Sequence, residues 1–176
     1  MKNKILGIAL LVVVIAAFIY ILTPNPAPVT PAAFDGKNSS FLIDGTRVTL
    51  TNGVSSIPAA PGSATKTVTR YFGNEATGDL NVDGFPDTAF LVTQDGGGSG
   101  LFYYAVVALG GANGYKITNA VLLGDRIAPQ TTEIHSNSGE VYVNYAVRKA
   151  GEPMSARPSI GTTLILKVTA QGTLEV

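Results

Sequence analysis

Between Gly78 and Asp87 the chain reads Gly-Asp-Leu-Asn-Val-Asp-Gly-Phe-Pro-Asp. Oxygen-bearing side chains fall at positions 1, 3, 5 and 9 counted from Asp79, and a glycine falls at position 6. Hard oxygen donors at that spacing suit Ca²⁺, which takes six to eight oxygens in a sharply turned loop. Asp79, Asn81, Asp83 and Asp87 would offer side-chain oxygens, and Phe85 its backbone carbonyl. Gly84 would allow the turn that a β-carbon hinders. The surrounding charge favours a cation. From Tyr71 to Tyr115 every charged residue is acidic: Glu75, Asp79, Asp83, Asp87 and Asp95. Crowded carboxylates without a basic neighbour repel one another, and a divalent ion removes that penalty. The competing reading is a plain turn, since Asp, Asn and Gly favour turns without any metal. The spacing weighs toward calcium in a structural role, filled where the ion stands at about 10⁻⁴–10⁻³ M.

The loop is not an EF-hand. That site needs a bidentate Glu at position 12 and helices on both sides. Position 12 here is Phe90, and Thr88–Thr93 is an apolar, partly β-branched run that reads as a strand. The pattern looks instead like the nine-residue calcium loop that caps β-hairpins in integrin-type propeller repeats. Such repeats recur around a propeller, whereas this loop occurs once, so a propeller is not expected.

No other group of residues forms a catalytic constellation. His135 is the only histidine, and no G-x-S-x-G elbow accompanies it. It reads as a strand-end residue beside the turn Ser136–Gly139. The glycine run 96–100 lacks the following Lys or helix start of a phosphate loop, and reads as a hairpin connection. Glu133 and Glu140 have no evident acidic partner for glycoside chemistry. Arg126 is expected to pair with Asp125 or another acid, as a structural contact. Tyr103 and Tyr104 should point to opposite faces of one strand, at least one of them packing inward. There are no cysteines, which excludes disulfides, thiolate metal sites, a Cys nucleophile and a lipid-bearing cysteine.

The elements that must hold the acidic loop read as β. Phe41–Ile43 and Arg47–Leu50 flank Asp44-Gly45, a strong hairpin signal. Thr65–Phe72, Thr88–Thr93, Leu101–Leu109, Tyr115–Leu123, Thr131–His135, Val141–Arg148 and Thr163–Thr169 are further strands, and Thr173–Val176 pairs at the end. Leu101–Leu109 is nearly all apolar and should be central, buried on both faces. A short helix near Ala120–Leu123 is the one competing assignment. The expected fold is all-β, an antiparallel sandwich or barrel-like domain over residues 34–176. Residues 149–162 form a long Pro- and Gly-containing connection, either a functional loop or a surface excursion.

The N-terminus places this domain. Ile5–Leu22 is an uncharged, almost wholly apolar run of 18 residues, about 27 Å as a helix and just enough to span a bilayer. Lys2 and Lys4 precede it and no positive charge follows until Lys37. The expected organisation is a cytoplasmic N-terminus (1–4), a transmembrane signal-anchor helix (5–22), a Pro-rich linker (23–33) and an extracytoplasmic β domain. The alternative is secretion after signal-peptide cleavage near Ala27 or Ala33. The run length and the bulky residues Ile19–Leu22 weigh against it. Net charge is zero, so no nucleic-acid partner is expected.

Three motifs together, Gly78–Asp87, Gly97-Gly98-Ser99-Gly100-Leu101-Phe102-Tyr103-Tyr104 and Leu122-Leu123-Gly124-Asp125-Arg126-Ile127, resemble an uncharacterised group of bacterial envelope proteins. The resemblance runs over roughly residues 65–169 and implies a small secreted or membrane-tethered β domain sharing the acidic loop. It brings no catalytic residues. The functional expectation is a non-enzymatic binding or surface-assembly module carrying one structural calcium, with an envelope protein or glycan as partner. The alternative is an envelope hydrolase acting on glycan or peptide with unassigned carboxylates.

Overall fold

The structure is a computed structural model, and it describes residues 33–176. The expectations for residues 1–4, for the span 5–22 and for nearly all of the linker 23–33 lie outside the described residues. Among the described residues no helix is long and apolar enough to cross a membrane. Among the described residues the architecture is all-β, with a single 3-10 turn at Gly36–Asn38 and twelve strands. These are β1 Ser40–Ile43, β2 Thr46–Thr49, β3 Val54–Pro58, β4 Lys66–Gly78, β5 Asp87–Asp95, β6 Phe102–Leu109, β7 Lys116–Ile117, β8 Val121–Asp125, β9 Ala128–His135, β10 Glu140–Val147, β11 Ile160–Val168 and β12 Leu174–Glu175.

β5 and β6 form the centre. They pair antiparallel, from Thr88 opposite Ala108 to Gln94 opposite Phe102, in a sheet ordered β3-β4-β5-β6-β7, with β8 also on β6. Alternate side chains leave opposite faces. Ala89, Leu91, Ala105 and Val107 join one core with Val141, Val143, Tyr145, Leu166 and Leu174 of a four-stranded sheet ordered β12-β11-β10-β9. Phe90, Val92, Tyr104, Val106 and Ala108 join a second core with Phe41, Ile43, Val48 and Leu50 of the β1–β2 hairpin. Both faces of β5 and β6 are therefore covered. This is the burial that the unbroken apolar run of β6 requires, and each large side chain so buried contributes about 1.5–3 kcal/mol. Asp44 and Gly45, at φ 47° and 77°, close the β1–β2 hairpin in the doubly left-handed form that matches strand twist.

Four expectations are corrected. The sheets stay open, so the barrel-like alternative is not realised. β4 does not stop at Phe72 but runs on to Gly78, through register shifts around Gly73. The stretch expected as a short helix, Ala120–Leu123, is strand from Val121 on, because β8 pairs with the buried β6 and its backbone groups are satisfied there. Tyr115–Leu123 divides into β7 and β8 for the same reason, each pairing with a different part of β6. β3 has no counterpart in the sequence reading. Its Val54-Ser55-Ser56-Ile57-Pro58 carries little β signal and is a strand because the long β4 offers it an edge.

Candidate functional site

The acidic loop joins β4 to β5 and folds around its own carboxylates. Asp79 ends the run that leaves β4, and its two carboxylate oxygens accept from the backbone amides of Asp83 (3.1 Å) and Gly84 (2.9 Å). Asn81 Oδ1 accepts from the Asp83 amide (3.2 Å), and its Nδ2 donates to Asp83 Oδ2 (2.8 Å). Asp83 Oδ1 accepts from the Phe85 amide (2.9 Å). The short side chains of Asp and Asn reach amides two to five residues ahead, which is why these residue types suit the turn. Val82 and Gly84 take positive φ, 57° and 86°, to bring those amides inward. Leu80 points the other way and is buried in the core between the two large sheets, pinning the loop to the sandwich.

Asp87 differs from the rest of the set. It opens β5 and is fully buried. Its Oδ2 accepts from the Leu80 amide at 2.7 Å and its Oδ1 from the Gly110 amide at 2.7 Å, so it ties the start of the loop to the end of β6. The approach is close: a β-carbon on Gly110 would lie 2.2 Å from the Pro86 carbonyl oxygen. Burial pushes the Asp87 carboxyl above its usual range, the two amides pull it back, and the nearby charges of Asp83 and Asp79 raise it further. No ion pair among the described residues involves Asp79, Asp83 or Asp87.

The five residues expected to bind metal thus share one loop, with Asn81 and Asp83 exposed, Asp79 and Phe85 half-buried, and Asp87 inside. Among the described residues no three His, Asp or Glu side chains already converge tightly enough to hold an ion. An ionised carboxylate offers about four lone-pair positions, so oxygens engaged by amides keep acceptor capacity toward a cation. The spacing of the acidic loop does not reveal the Gly110 amide. Its signal was the Gly110-Gly111 pair at the end of a buried strand, where a backbone can approach closely.

The remaining candidates make contacts within the fold. Arg126 holds Asp125 through Nε and Nη2, at 3.0–3.2 Å, as expected. Asp125 also accepts from the Leu101 amide (2.8 Å), securing the end of the glycine run 96–100. The arginine beside it holds the Asp125 carboxyl below its usual range. Arg148 donates to the carbonyls of Ala156 (2.7 Å) and Arg126 (2.9 Å), so the connection before β11, which ends at Ser159, is laced to the body. His135 is exposed, lies against Tyr142 with ring centroids 4.2 Å apart, and stands 3.5 Å from Glu133. Tyr104 is in the hairpin-side core, while Tyr103 faces the other sheet and meets Phe72 edge-on.

A cleft of about 470 Å³ lies beside the loop, lined by Leu80, Asn81, Lys116, Ser138, Lys167 and Thr169 among others, and no carboxylate lines it. Paired acids for hydrolysis are not found there. No family model matches this chain, and no curated protein or solved structure is significantly similar to it.

Proposed function

We propose that residues 34–176 form a calcium-stabilised binding or surface-assembly module, held outside the membrane by the apolar segment 5–22 with the N-terminus cytoplasmic. The observation that carries the calcium reading is Asp87: a fully buried carboxylate, raised in pKa by burial and by Asp83 and Asp79, with no basic partner among the described residues. A divalent ion on the loop would cancel that repulsion and take oxygens from Asp79, Asn81, Asp83, Asp87 and the Phe85 carbonyl. The reading as an extracytoplasmic module rests on Lys2, Lys4 and the run 5–22, and on the motifs that resemble the bacterial envelope group.

Calorimetry on residues 33–176, which contain both hydrophobic cores, tests the calcium claim. A ligand at about ten times its Kd adds roughly 1.4 kcal/mol and raises Tm by about 3–6 °C for a domain of this size. Asp83→Ala should erase the calcium-dependent rise while leaving the chelated protein's Tm nearly unchanged. Superimposable melts in millimolar calcium and in chelator would sink the calcium claim.

A further inference from the structure

The four-stranded sheet ends in an unusual edge. β12 pairs with β11 only at Lys167 and Val168, so Ile160–Leu166 has no strand on its outer side among the described residues. Those seven residues, Ile-Gly-Thr-Thr-Leu-Ile-Leu, hold no charge and no proline. Proteins ordinarily blunt such an edge with a charge, a proline or a bulge. Three other edges here are blunted. β3 ends in Pro58; β9 carries Pro129 and Glu133, and its register with β10 is bulged; β7 has two residues. β11 instead exposes Ile160 (47 %) and Ile165 (40 %).

The order of residues along this edge is self-complementary. We propose that two copies of this chain pair antiparallel along β11, with a two-fold axis at Thr163. In that register Ile165 of each copy crosses Gly161 of the other. Nothing lies within 4 Å of where a Gly161 β-carbon would sit, so the isoleucine has room. Leu166 meets Ile160, and Thr162 meets Leu164. Both exposed isoleucines are covered by one register, and a slip of one residue would turn every side chain to the wrong face. The uncharged strip lets two copies meet without repulsion and offers nothing to a charged partner. β12 at Lys167 and Pro158 before Ile160 bound the pairing to these residues. The two-fold closes the assembly at a dimer whose continuous sheet is six strands across, β9, β10 and β11 of each copy, with each two-residue β12 at an end of the seam, and no free β11 edge is left over.

This pairing gives the assembly half of the proposed function its partner and rests on that half alone. The chain has no cysteine, so a single introduced thiol reports the contact. Cα atoms directly opposite in an antiparallel pair lie about 4.5–5.5 Å apart, within disulfide range. Under mild oxidation Thr163→Cys should form a disulfide-linked dimer at least about tenfold faster than Thr46→Cys on the exposed β2, because pairing raises the effective thiol concentration. Adding Ile165→Lys to Thr163→Cys should remove that advantage while the melting curve stays cooperative. Both measurements are made in calcium and in chelator, so a missing calcium shift and a missing crosslink are separate results. Light scattering that finds only monomer, with Thr163→Cys crosslinking no faster than Thr46→Cys, overturns the proposal. So does pairing only with an extended peptide of another protein.

Discussion

Two aspartates in this molecule perform the same backbone task with opposite electrostatics. Asp87 accepts from the amides of Leu80 and Gly110, and Asp125 accepts from the amide of Leu101. Each fixes a loop to a strand of the central sheet. Asp125 has a guanidinium at 3.0 Å, stays partly exposed, and is held below the usual carboxylate range. Asp87 is fully buried among like charges and is pushed above it. A turn that carries its own cation is complete as folded. On the proposed calcium reading, a turn that carries only anions would be completed by a cation from solvent, and would respond to the medium.

The largest effect should come from Asp87→Ala. It leaves two inward-facing amides without partners, each costing about 1–3 kcal/mol, so a loss on the order of 3 kcal/mol is expected in urea titration whether or not calcium is present. A loss under about 1 kcal/mol would mean that the two amides find water, and the contrast with Asp125 would fail. Asp125→Ala should cost less, roughly 1–2 kcal/mol. One amide is freed there and the Arg126 pair is partly solvated, so its contribution is modest. Because Arg126 sits at φ 48°, Asp125→Ala is the cleaner probe of the pair than a change at Arg126 itself.

The smallest effect, and the sharpest in sign, is the dependence on pH. The folded-state pKa of Asp87 lies above the ordinary 3.8, so its contribution is full below 3.8 and is lost as pH rises through the folded value. Without calcium, acidification from neutrality toward pH 4 should therefore recover stability through Asp87. Asp125 is lowered, so its contribution is present above 3.8 and is lost as pH falls through its folded value. Melting curves of Asp87→Asn and Asp125→Asn against the parent, from pH 7 to 3, should flatten opposite arms of the profile. Identical flattening would show that both carboxylates are governed by the same surroundings.

Much of this arrangement is legible in the residues. Asp44-Gly45 dictates a hairpin, the run Leu101–Leu109 dictates a strand covered on both faces, and Asp125-Arg126 is a pair as well as a neighbour. The loop from Asp79 to Asp87 announces its turn through Gly84 and its short acids. What is not legible is partnership at a distance. Nothing in Val54–Pro58 requires a strand until β4 lies beside it. Nothing in Asp87 alone separates a surface ligand from a buried brace, because its second amide comes from Gly110, far along the chain. Leu80 likewise reads as a loop residue, yet it is the loop's anchor in the core, while Val82 two residues on is exposed, and the sequence does not distinguish the two apolar side chains between Asp79 and Asp83.

The double covering of β5 has a consequence for how this protein opens. From Asp87 to Thr93 every residue is buried, with strands on both sides and a hydrophobic layer above and below. The amides of Leu91 and Val92 can meet water only when both cores come apart, so their deuterium uptake should measure global unfolding. Since the same strand begins at Asp87, any ion that steadies the loop would slow exchange deep in the centre, far from where it binds.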